Sequence, residues 1–328
     1  MPELRQDPVS GHWVILAKKR AQRPHDFVAA PRRLKSGPCP FCEGHEHQTP
    51  GELLAYRTPG SQADAPGWRV RVVPNKFPAV ESTACIEASI ANAAALAGIG
   101  AHEVIVESPQ HKVSLTELAE TAAAEVFACY RERLLATRLD ERLKCAVLFK
   151  NVGADAGASI EHVHSQLVTL PLVPRVLLDE LSGARTYFDQ VGRCIFCAML
   201  DEAAAQQRLV LADDHFMAVC PIAPRFAYET WILPRVHRAQ FEACSAAEVQ
   251  QAGLFVRRTL EKIEAVLDQQ AYNYIIHTAP FDMPRAAHYH WHIEILPRVT
   301  SIAGFECGSG MYINAVAPEE AAAVLREQ

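Results

Sequence analysis

The sequence predicts an α+β fold made of two similar halves, each a mostly antiparallel sheet backed by a helix. Three observations support this prediction. The same motifs recur in the same order in both halves of the 328-residue chain, each half has one long segment with apolar residues at helical spacing, and each half ends in a strand-like segment of alternating histidines. We place the halves at residues 1–171 and 172–328, and their strands can join into one continuous sheet.

Composition excludes several classes of protein. Hydrophobic residues make up 49% of the chain, the net charge is -6 and the pI is near 6.2, so neither nucleic acid nor an anionic membrane is a favoured partner. The first residues, MPELRQDPVSGHW, lack the apolar core of an export signal. No segment approaches the roughly 18 apolar residues that cross a bilayer. We therefore expect a cytoplasmic protein.

Each half opens with a Cys-x-x-Cys motif, CPFC (Cys39, Cys42) in the first and CIFC (Cys194, Cys197) in the second. A chain without an export signal keeps its cysteines as thiols or metal ligands. A redox dithiol is the alternative to half a zinc site. Because neither pair lies at the strand-to-helix turn of a thioredoxin-like motif, zinc is favoured. We expect the six isolated cysteines to fill the core.

A strand-like run that ends in histidine follows in each half, HEVIVESPQH to His111 and YETWILPRVH to His237, with a glutamate eight residues before each histidine. A capping box comes next, in SLTEL and in SAAEV, which predicts the start of a helix. The segments AETAAAEVFACYRERLLA and VQQAGLFVRRTLEKIEAVL then carry apolar residues at helical spacing.

Each half closes with a histidine-rich strand, HVHSQLVTLP or HYHWHIEILP. Counting back from the shared Leu-Pro matches His162 with His288, His164 with His290 and Gln166 with His292. The repeat thus aligns two thiols and two imidazoles in each half, the ligand set of a closed, structural zinc site. The predicted ligands of the two zinc ions are Cys39, Cys42, His111 and His162 in the first half and Cys194, Cys197, His237 and His288 in the second.

The pair His162 and His164 suggests chemistry besides metal binding. Alternate residues of a strand point to one face, although an isolated His-x-His is more often two surface histidines. Histidine is a competent nucleophile toward phosphorus when one ring nitrogen is free and the other is bonded to an acceptor. The loop NVGADAGAS supplies backbone N–H groups and the Ser159 hydroxyl, and Gln166 offers an amide on the same face as His164, so donors for phosphoryl oxygens lie nearby.

The combination of Cys-x-x-Cys, SPQH, NVGADAGAS, His-x-His-x-Gln and a second histidine-rich strand resembles the galactose-1-phosphate uridylyltransferase family of the histidine-triad superfamily, nearly end to end. The resemblance implies two histidine-triad-like repeats, a homodimer, and ping-pong transfer of a nucleoside monophosphate through a covalent histidine. By position, it implies that His164 is the nucleophile, that Gln166 and Ser159 hold the phosphoryl oxygens, and that Asn151 lies at the nucleotide phosphate.

The same resemblance assigns substrate-binding roles to four further residues. Arg20 and Arg23 match a basic pair that contacts phosphate, and Asn75 and Phe77 match the nucleoside-binding segment. The chemistry agrees, since guanidinium groups suit phosphate and a phenyl face suits a base. Without the resemblance, these residues would be interpreted as a solvated basic turn and a core phenylalanine.

The sequence departs from the best-known members of this family at two places. Their second metal site uses carboxylate and histidine ligands, whereas CIFC indicates a second zinc. His277, together with His290 and His292, matches the other kind of site, so either set could hold metal. The glycine-rich tail GFECGSGMYINAVAPEE resembles the branch that includes ADP-glucose phosphorylase.

These observations leave three functions open. The first is a uridylyltransferase that acts on UDP-glucose and a hexose 1-phosphate such as galactose 1-phosphate. The second is an ADP-sugar phosphorylase, which keeps the histidine chemistry but uses inorganic phosphate. The third is a zinc-stabilised binding protein without catalysis, which explains the ligands but leaves Gln166, Ser159 and the glycine-rich loop unused.

Overall fold

A ten-stranded antiparallel sheet forms the centre of the protein in the computed structural model, which describes residues 2–18, 20, 38–82, 96–267 and 271–328. A second sheet of three strands lies beside it. The strands are β1 (Glu3–Gln6), β2 (Trp13–Leu16), β3 (Leu54–Arg57), β4 (Trp68–Pro74), β5 (His102–Val106), β6 (Cys145–Val152), β7 (His164–Leu170), β8 (Leu209–Ala212), β9 (Phe216–Val219), β10 (Thr230–Pro234), β11 (Tyr272–His277), β12 (His292–Pro297) and β13 (Tyr312–Asn314).

The order of strands in the large sheet is symmetric about its middle. It runs β3-β4-β5-β7-β6 from the first half of the chain and continues as β11-β12-β10-β9-β8 from the second. The halves meet where β6 pairs with β11, with Asn151 opposite Asn273. This confirms the α+β prediction of two similar halves that share one continuous sheet. The boundary at residue 171, directly after β7, stays a prediction.

The helices of the described chain are α1 (Glu120–Thr137), α2 (Arg175–Val191), α3 (Ile195–Ala205), α4 (Ala246–Leu267), α5 (Gly304–Ser309) and α6 (Pro318–Arg326), with short 3-10 turns at Glu46–Gln48, Leu115–Glu117 and Ala154–Ala156. Among the described residues, none of these helices combines the length and the apolar character that crossing a membrane requires.

Helices α1 and α4, one from each half, pack closely against each other. A Cβ atom on Gly253 of α4 would lie 2.7 Å from the carbonyl oxygen of Ala123, so a larger residue would push the helices apart. The sheet side chains that meet these helices include Ile105, Leu148 and Ile276, all at most 1% exposed. The opposite face of the same strands is thereby left for the functional side chains.

The two predicted capping boxes behave differently. Ser245 caps α4 directly, since its hydroxyl accepts from the Glu248 N–H at 3.2 Å and the Glu248 carboxylate accepts from the Ser245 N–H at 2.7 Å. The box at Ser114 and Glu117 caps a 3-10 turn instead, and α1 begins only at Glu120. The motif fixes the start of a helical turn, but continuation of that turn depends on packing.

The small sheet ties the two ends of the chain together. Its order is β1-β2-β13, and β13 runs parallel to β2 with Asn314 opposite Leu16. The Asn314 side chain is 2% exposed and donates to the carbonyl oxygens of Pro224 and Phe226. The C-terminal segment is therefore held against both the N-terminus and the second half.

Candidate active site and metal centres

His164 is the first residue of β7 and is 6% exposed. Its Nδ1–H donates to the carbonyl oxygen of His162 at 2.6 Å, so the lone pair of the neutral ring is on Nε2. Burial lowers the pKa of His164, because a poorly hydrated site disfavours the charged imidazolium. The structure thus holds a neutral imidazole with one nitrogen anchored and the other available for attack.

A cavity of about 560 Å³ opens in front of His164. Four other residues singled out in the sequence line it with His164: Asn75, Phe77, Ser159 and Gln166. Phe77 is 83% exposed, so its ring is not a core side chain and is open to contact a ligand. The site therefore combines a neutral imidazole, neutral hydrogen-bond donors and an aromatic surface in one space.

Phe41 and Lys76 also line the cavity and carried no recognised signal in the sequence. Phe41 is the apolar residue inside CPFC, and its ring centroid lies 5.1 Å from that of His164. Its position between two predicted metal ligands is the sequence signal that could have identified it. A metal site that joins Cys39 and Cys42 to His162 also brings the residue between the cysteines close to His164. Lys76 adds positive charge to the lining of the cavity.

The remaining predicted substrate-binding residues lie elsewhere. Asn151 is on β6, and its side-chain oxygen accepts from Asn273 Nδ2 at 2.7 Å. Arg20 donates its backbone N–H to Ala17 O at 2.8 Å. Within the described part of the chain, the residues that line the cavity include neither of them. Arg23 lies outside the described residues.

The first predicted metal cluster is assembled as expected. Cys39, Cys42, His111 and His162 place one ligand atom each within 4.8 Å of one another. The His162 Nδ1 atom lies 3.4 Å from Cys39 Sγ, and the His111 Nδ1 atom lies 3.5 Å from Cys42 Sγ. A tetrahedral zinc with bonds of about 2.3 Å to sulfur and about 2.0 Å to nitrogen separates such atoms by about 3.5 Å.

A hydrogen bond from the other ring nitrogen of His162 orients the ring toward the thiols. Its Nε2 atom donates to the carbonyl oxygen of Ser108 at 2.8 Å, which leaves the lone pair on Nδ1, the atom that faces the cysteines. Metal-binding histidines are commonly oriented in this way by the bond that their other nitrogen makes. The donor set and its tautomer fit zinc.

The second cluster corrects the predicted ligand set. It contains Cys194, Cys197, His237 and His290, whereas His288 lies outside it with its ring 6.5 Å from that of Phe188. The Cys197 Sγ atom is 3.5 Å from His237 Nδ1 and 3.6 Å from His290 Nδ1. These separations also match a tetrahedral zinc.

The predicted set contains His288 because the alignment of the two halves counts back from Leu-Pro. His292 begins β12 and its Nδ1–H donates to His290 O at 3.1 Å, as His164 donates to His162 O at the start of β7. His292 is therefore the counterpart of His164. Strand β12 reaches its Leu-Pro two residues sooner than β7 does, which displaced the whole alignment by two residues.

A third cluster brings together Glu180, His277, His292 and Glu294, whose ligand atoms are also close enough for a metal ion. The expectation that His290 joins His277 and His292 is wrong, because His290 faces the cysteines. Burial opposes a charge on His277, but the carboxylates of Glu180 and Glu294 outweigh it and raise the pKa of His277 to about 10. Arg225, whose side chain is 16% exposed, also pairs with Glu294.

His292 is shielded on both faces although it corresponds to His164. Its ring stacks on Trp231 at 5.1 Å and on His277 at 4.7 Å between centroids. It is 0% exposed, whereas His164 lines the open cavity. The second half thus repeats the backbone of the site but encloses the equivalent histidine, and the histidine that lines an open cavity is the one in the first half.

Comparison with known proteins agrees with this geometry. Residues 1–174 match the family described as galactose-1-phosphate uridyl transferase, N-terminal domain, and residues 130–327 match a domain of unknown function. The ADP-glucose phosphorylase of Arabidopsis thaliana is 34% identical over 99% of this chain and 93% of its own length. The galactose-1-phosphate uridylyltransferase of Thermotoga maritima is 26% identical over 100% of this chain and 98% of its own length.

Solved structures show the same relationship. The crystal structure of the Arabidopsis thaliana ADP-glucose phosphorylase with bound ADP-glucose superposes with a TM-score of 0.87 at 33% identity, covering 100% of this chain and 99% of that one. A structure of uridylyltransferase superposes with a TM-score of 0.78 at 25% identity, covering 100% and 98%. The chain therefore belongs to the galactose-1-phosphate uridylyltransferase family and is a nucleotidyltransferase.

Proposed function

We propose that the protein transfers a nucleoside monophosphate from a nucleotide sugar to a second acceptor through a covalent nucleotidyl-histidine at His164. The observation that carries this proposal is the neutral, anchored imidazole of His164, whose Nε2 is free at a cavity lined by Gln166 and Ser159. A binding protein without catalysis has no need for this arrangement. The fold supports the proposal, since related proteins are nucleotidyltransferases.

In the first step, Nε2 of His164 attacks the α-phosphorus of the nucleotide sugar, a P–N bond forms, and the P–O bond to the sugar phosphate breaks. The sugar 1-phosphate leaves with the bonding electron pair. The ring gains positive charge, which the hydrogen bond from Nδ1–H to His162 O stabilises. In this mechanism the amide of Gln166 and the hydroxyl of Ser159 donate to the phosphoryl oxygens.

In the second step, a phosphate oxygen of the acceptor attacks the same phosphorus and the P–N bond breaks. The electron pair returns to Nε2, which restores neutral His164. The acceptor attacks from the site that the leaving group has vacated, so the two substrates occupy one cavity in turn. This order of binding and release gives ping-pong kinetics.

For the substrate pair, we favour an ADP-sugar and inorganic phosphate. The 34% identity to an ADP-glucose phosphorylase against 26% to a galactose-1-phosphate uridylyltransferase supports this choice, as do the TM-scores of 0.87 and 0.78. The second candidate is uridylyl transfer between UDP-glucose and a hexose 1-phosphate, which the family match over residues 1–174 favours.

We also propose two structural zinc ions per chain, a cytoplasmic location and a homodimer. The two clusters of two cysteines and two histidines support the zinc ions. When bound, zinc would fix the segment before β7 through His162 and the segment before β12 through His290. We retain Asn151, Arg20 and Arg23 as proposed phosphate contacts, and the repeat boundary at residue 171 as proposed. Asn151 and Arg20 would need ligand binding or a partner subunit to approach the cavity.

The test mixes purified protein with ADP-glucose or UDP-glucose, quenches the reaction and identifies the adduct by mass spectrometry. We expect a nucleoside monophosphate on His164, and its nucleotide identifies the donor. Adding phosphate, galactose 1-phosphate or glucose 1-phosphate then shows which acceptor discharges it. His215→Ala is the matched control, since His215 is exposed and belongs to none of the three clusters. Absence of an adduct with every donor would contradict the proposal.

A further inference from the structure

His102, on β5, lies beside the predicted phosphate-binding amide. Its Nε2 atom is 2.8 Å from Gln166 Oε1, and β5 pairs with β7 so that Val104 is opposite Gln166. Side chains two residues apart on a strand share a face, so His102 reaches Gln166 diagonally across the strand pair.

The backbone around His102 determines which ring nitrogen carries the proton. The N–H of Ala79 lies 3.0 Å from Nδ1 of His102. A backbone amide nitrogen only donates, so Nδ1 must accept and cannot itself carry a proton. The proton of the ring is then on Nε2, and Nε2–H donates to the oxygen of Gln166.

Asn75 points a second donor at the same oxygen. Its Oδ1 accepts from the Phe77 N–H at 2.9 Å, which turns its Nδ2 toward Gln166 Oε1, 3.4 Å away, and toward His102 Nε2, 3.1 Å away. Because Nε2 of His102 already carries a proton, the Nδ2–H group of Asn75 donates to Oε1. With two donors converging on Oε1, the carbonyl end of the Gln166 amide is directed at them. The NH2 end is then the one available to the cavity that His164 and Ser159 line.

We propose that His102 is a positioning residue that fixes the orientation of the Gln166 amide, so that Gln166 presents N–H donors and not its carbonyl oxygen to the transferring phosphoryl group. This inference rests on the proposed function of His164. A reversed amide would place a partial negative charge against phosphoryl oxygens that gain charge during transfer, and a misoriented donor forfeits its stabilisation of that charge.

The test compares His102→Gln with His102→Glu, two side chains of the same length and nearly the same shape. The Gln variant retains an N–H donor that can occupy the place of Nε2, whereas ionised Glu only accepts and favours the reversed amide. The readout is single-turnover formation of the His164 adduct at varied ADP-glucose and UDP-glucose concentrations. We expect His102→Glu to slow the saturated rate by about 10- to 100-fold, and His102→Gln to stay within about threefold of wild type.

A double-mutant cycle separates this role from a general structural one. In a Gln166→Ala background, which has no amide to orient, His102→Glu should cause no further loss of the saturated rate. Zinc content and melting temperature of each variant show whether it is folded, and the Gln/Glu pair is decisive even if an apolar substitution at this position fails to fold.

Three results would overturn the inference. One is an equal saturated rate for His102→Gln and His102→Glu, and another is an undiminished effect of His102→Glu in the Gln166→Ala background. The third is a change confined to the donor concentration at half-saturation. A wild-type protein that forms no adduct with either donor overturns the proposed function and this inference with it, a result distinct from all three.

Discussion

His162 and His164 differ in what their two ring nitrogens do. His162 turns Nδ1 to the thiols of the first cluster and donates from Nε2 to Ser108 O, whereas His164 donates from Nδ1 to His162 O and leaves Nε2 free. The backbone carbonyl of one histidine thus orients the ring of the other. In the proposed mechanism, His162 is fixed by its metal cluster and holds the ring of His164 in the orientation for attack.

Mutation should separate these roles. His164→Ala should abolish the adduct and nearly all turnover while leaving zinc content and melting temperature nearly unchanged. His162→Ala should lower both zinc content and melting temperature, because a structural zinc contributes directly to the free energy of folding. Elemental analysis, thermal unfolding and adduct mass spectrometry on the same preparations provide the comparison. An adduct of undiminished yield in His164→Ala would show that another residue is the nucleophile, and His292, the counterpart of His164 in the second half, would be tested next.

The pH dependence of adduct formation should reflect burial of His164. Only the neutral ring attacks, so the rate falls as pH drops through the pKa of His164. Because burial lowers that pKa from its usual 6.5, the rate should hold through pH 6.5 and decline only at more acidic pH. Rapid-quench single turnovers between pH 5 and 8 measure the midpoint of the decline. A midpoint at or above 6.5 would contradict this expectation.

The placement of single residues could be predicted where one motif contains them. His164, Gln166 and Ser159 meet at one cavity because the loop and strand of a single motif place them there. His102 could not be predicted, since its contact with Gln166 depends on the register between β5 and β7. Its importance also depends on the Ala79 N–H, which no spacing in the sequence indicates.

At the scale of elements, a buried ion pair lies beneath the start of β7. The Lys150 ammonium on β6 contacts the Glu107 carboxylate and donates to His164 O at 3.2 Å. Both side chains of the pair are 0% exposed. The hydroxyls of Tyr130 and Ser165 each donate to Glu107 at 2.5 Å. The carboxylate thereby accepts three hydrogen bonds, and the backbone of His164 is tied to the neighbouring strand.

Replacing Lys150 by Met should be strongly destabilising, because it leaves the Glu107 carboxylate buried without its counter-charge. We expect a loss of about 3–5 kcal/mol in the free energy of unfolding. Urea unfolding measures it. Arg175→Met is the control, since Arg175 pairs with Asp179 at the surface, and its urea midpoint should not move. Similar urea midpoints for the two variants would show that the buried pair contributes no more to stability than the surface pair does.

Strands and helices were predicted better than their alignment. Alternating histidines located β7 and β12, but Leu-Pro is a poor reference for aligning them, because it lies two residues closer to the first histidine of the strand in β12 than in β7. The hydrogen bond from the first histidine of the strand to the preceding ligand is the conserved element of the two halves. Such a bond is a property of the backbone path and has no sequence signature of its own.

At the scale of the whole molecule, metal content tests the two-cluster arrangement. Protein purified without chelator should contain two zinc ions per chain. His290→Ala should lose the second, whereas His288→Ala should keep both, because His290 faces the cysteines and His288 does not. Elemental analysis of the two variants measures this. Loss of zinc in His288→Ala with retention in His290→Ala would show that His288, and not His290, is the fourth ligand of the second zinc.

The overall architecture could be predicted because the chain repeats itself, and two copies of one unit naturally join at equivalent strands. The small sheet could not. Strand β13 has three residues, and it is placed by contacts with β2 and with the carbonyl groups near residue 225. A segment so short is determined by its partners across the fold and carries little periodicity of its own.

The pairing of β6 with β11 also has a consequence for synthesis on the ribosome. Strand β6 ends at Val152, and its partner begins only at Tyr272. At about 5–20 residues per second, the interval between their emergence is on the order of ten seconds. Throughout it, a nascent first half would present an eight-residue, largely apolar strand with an open edge. The chain should therefore recruit a chaperone during elongation, and stalled chains that end before residue 272 should aggregate where full-length ones do not.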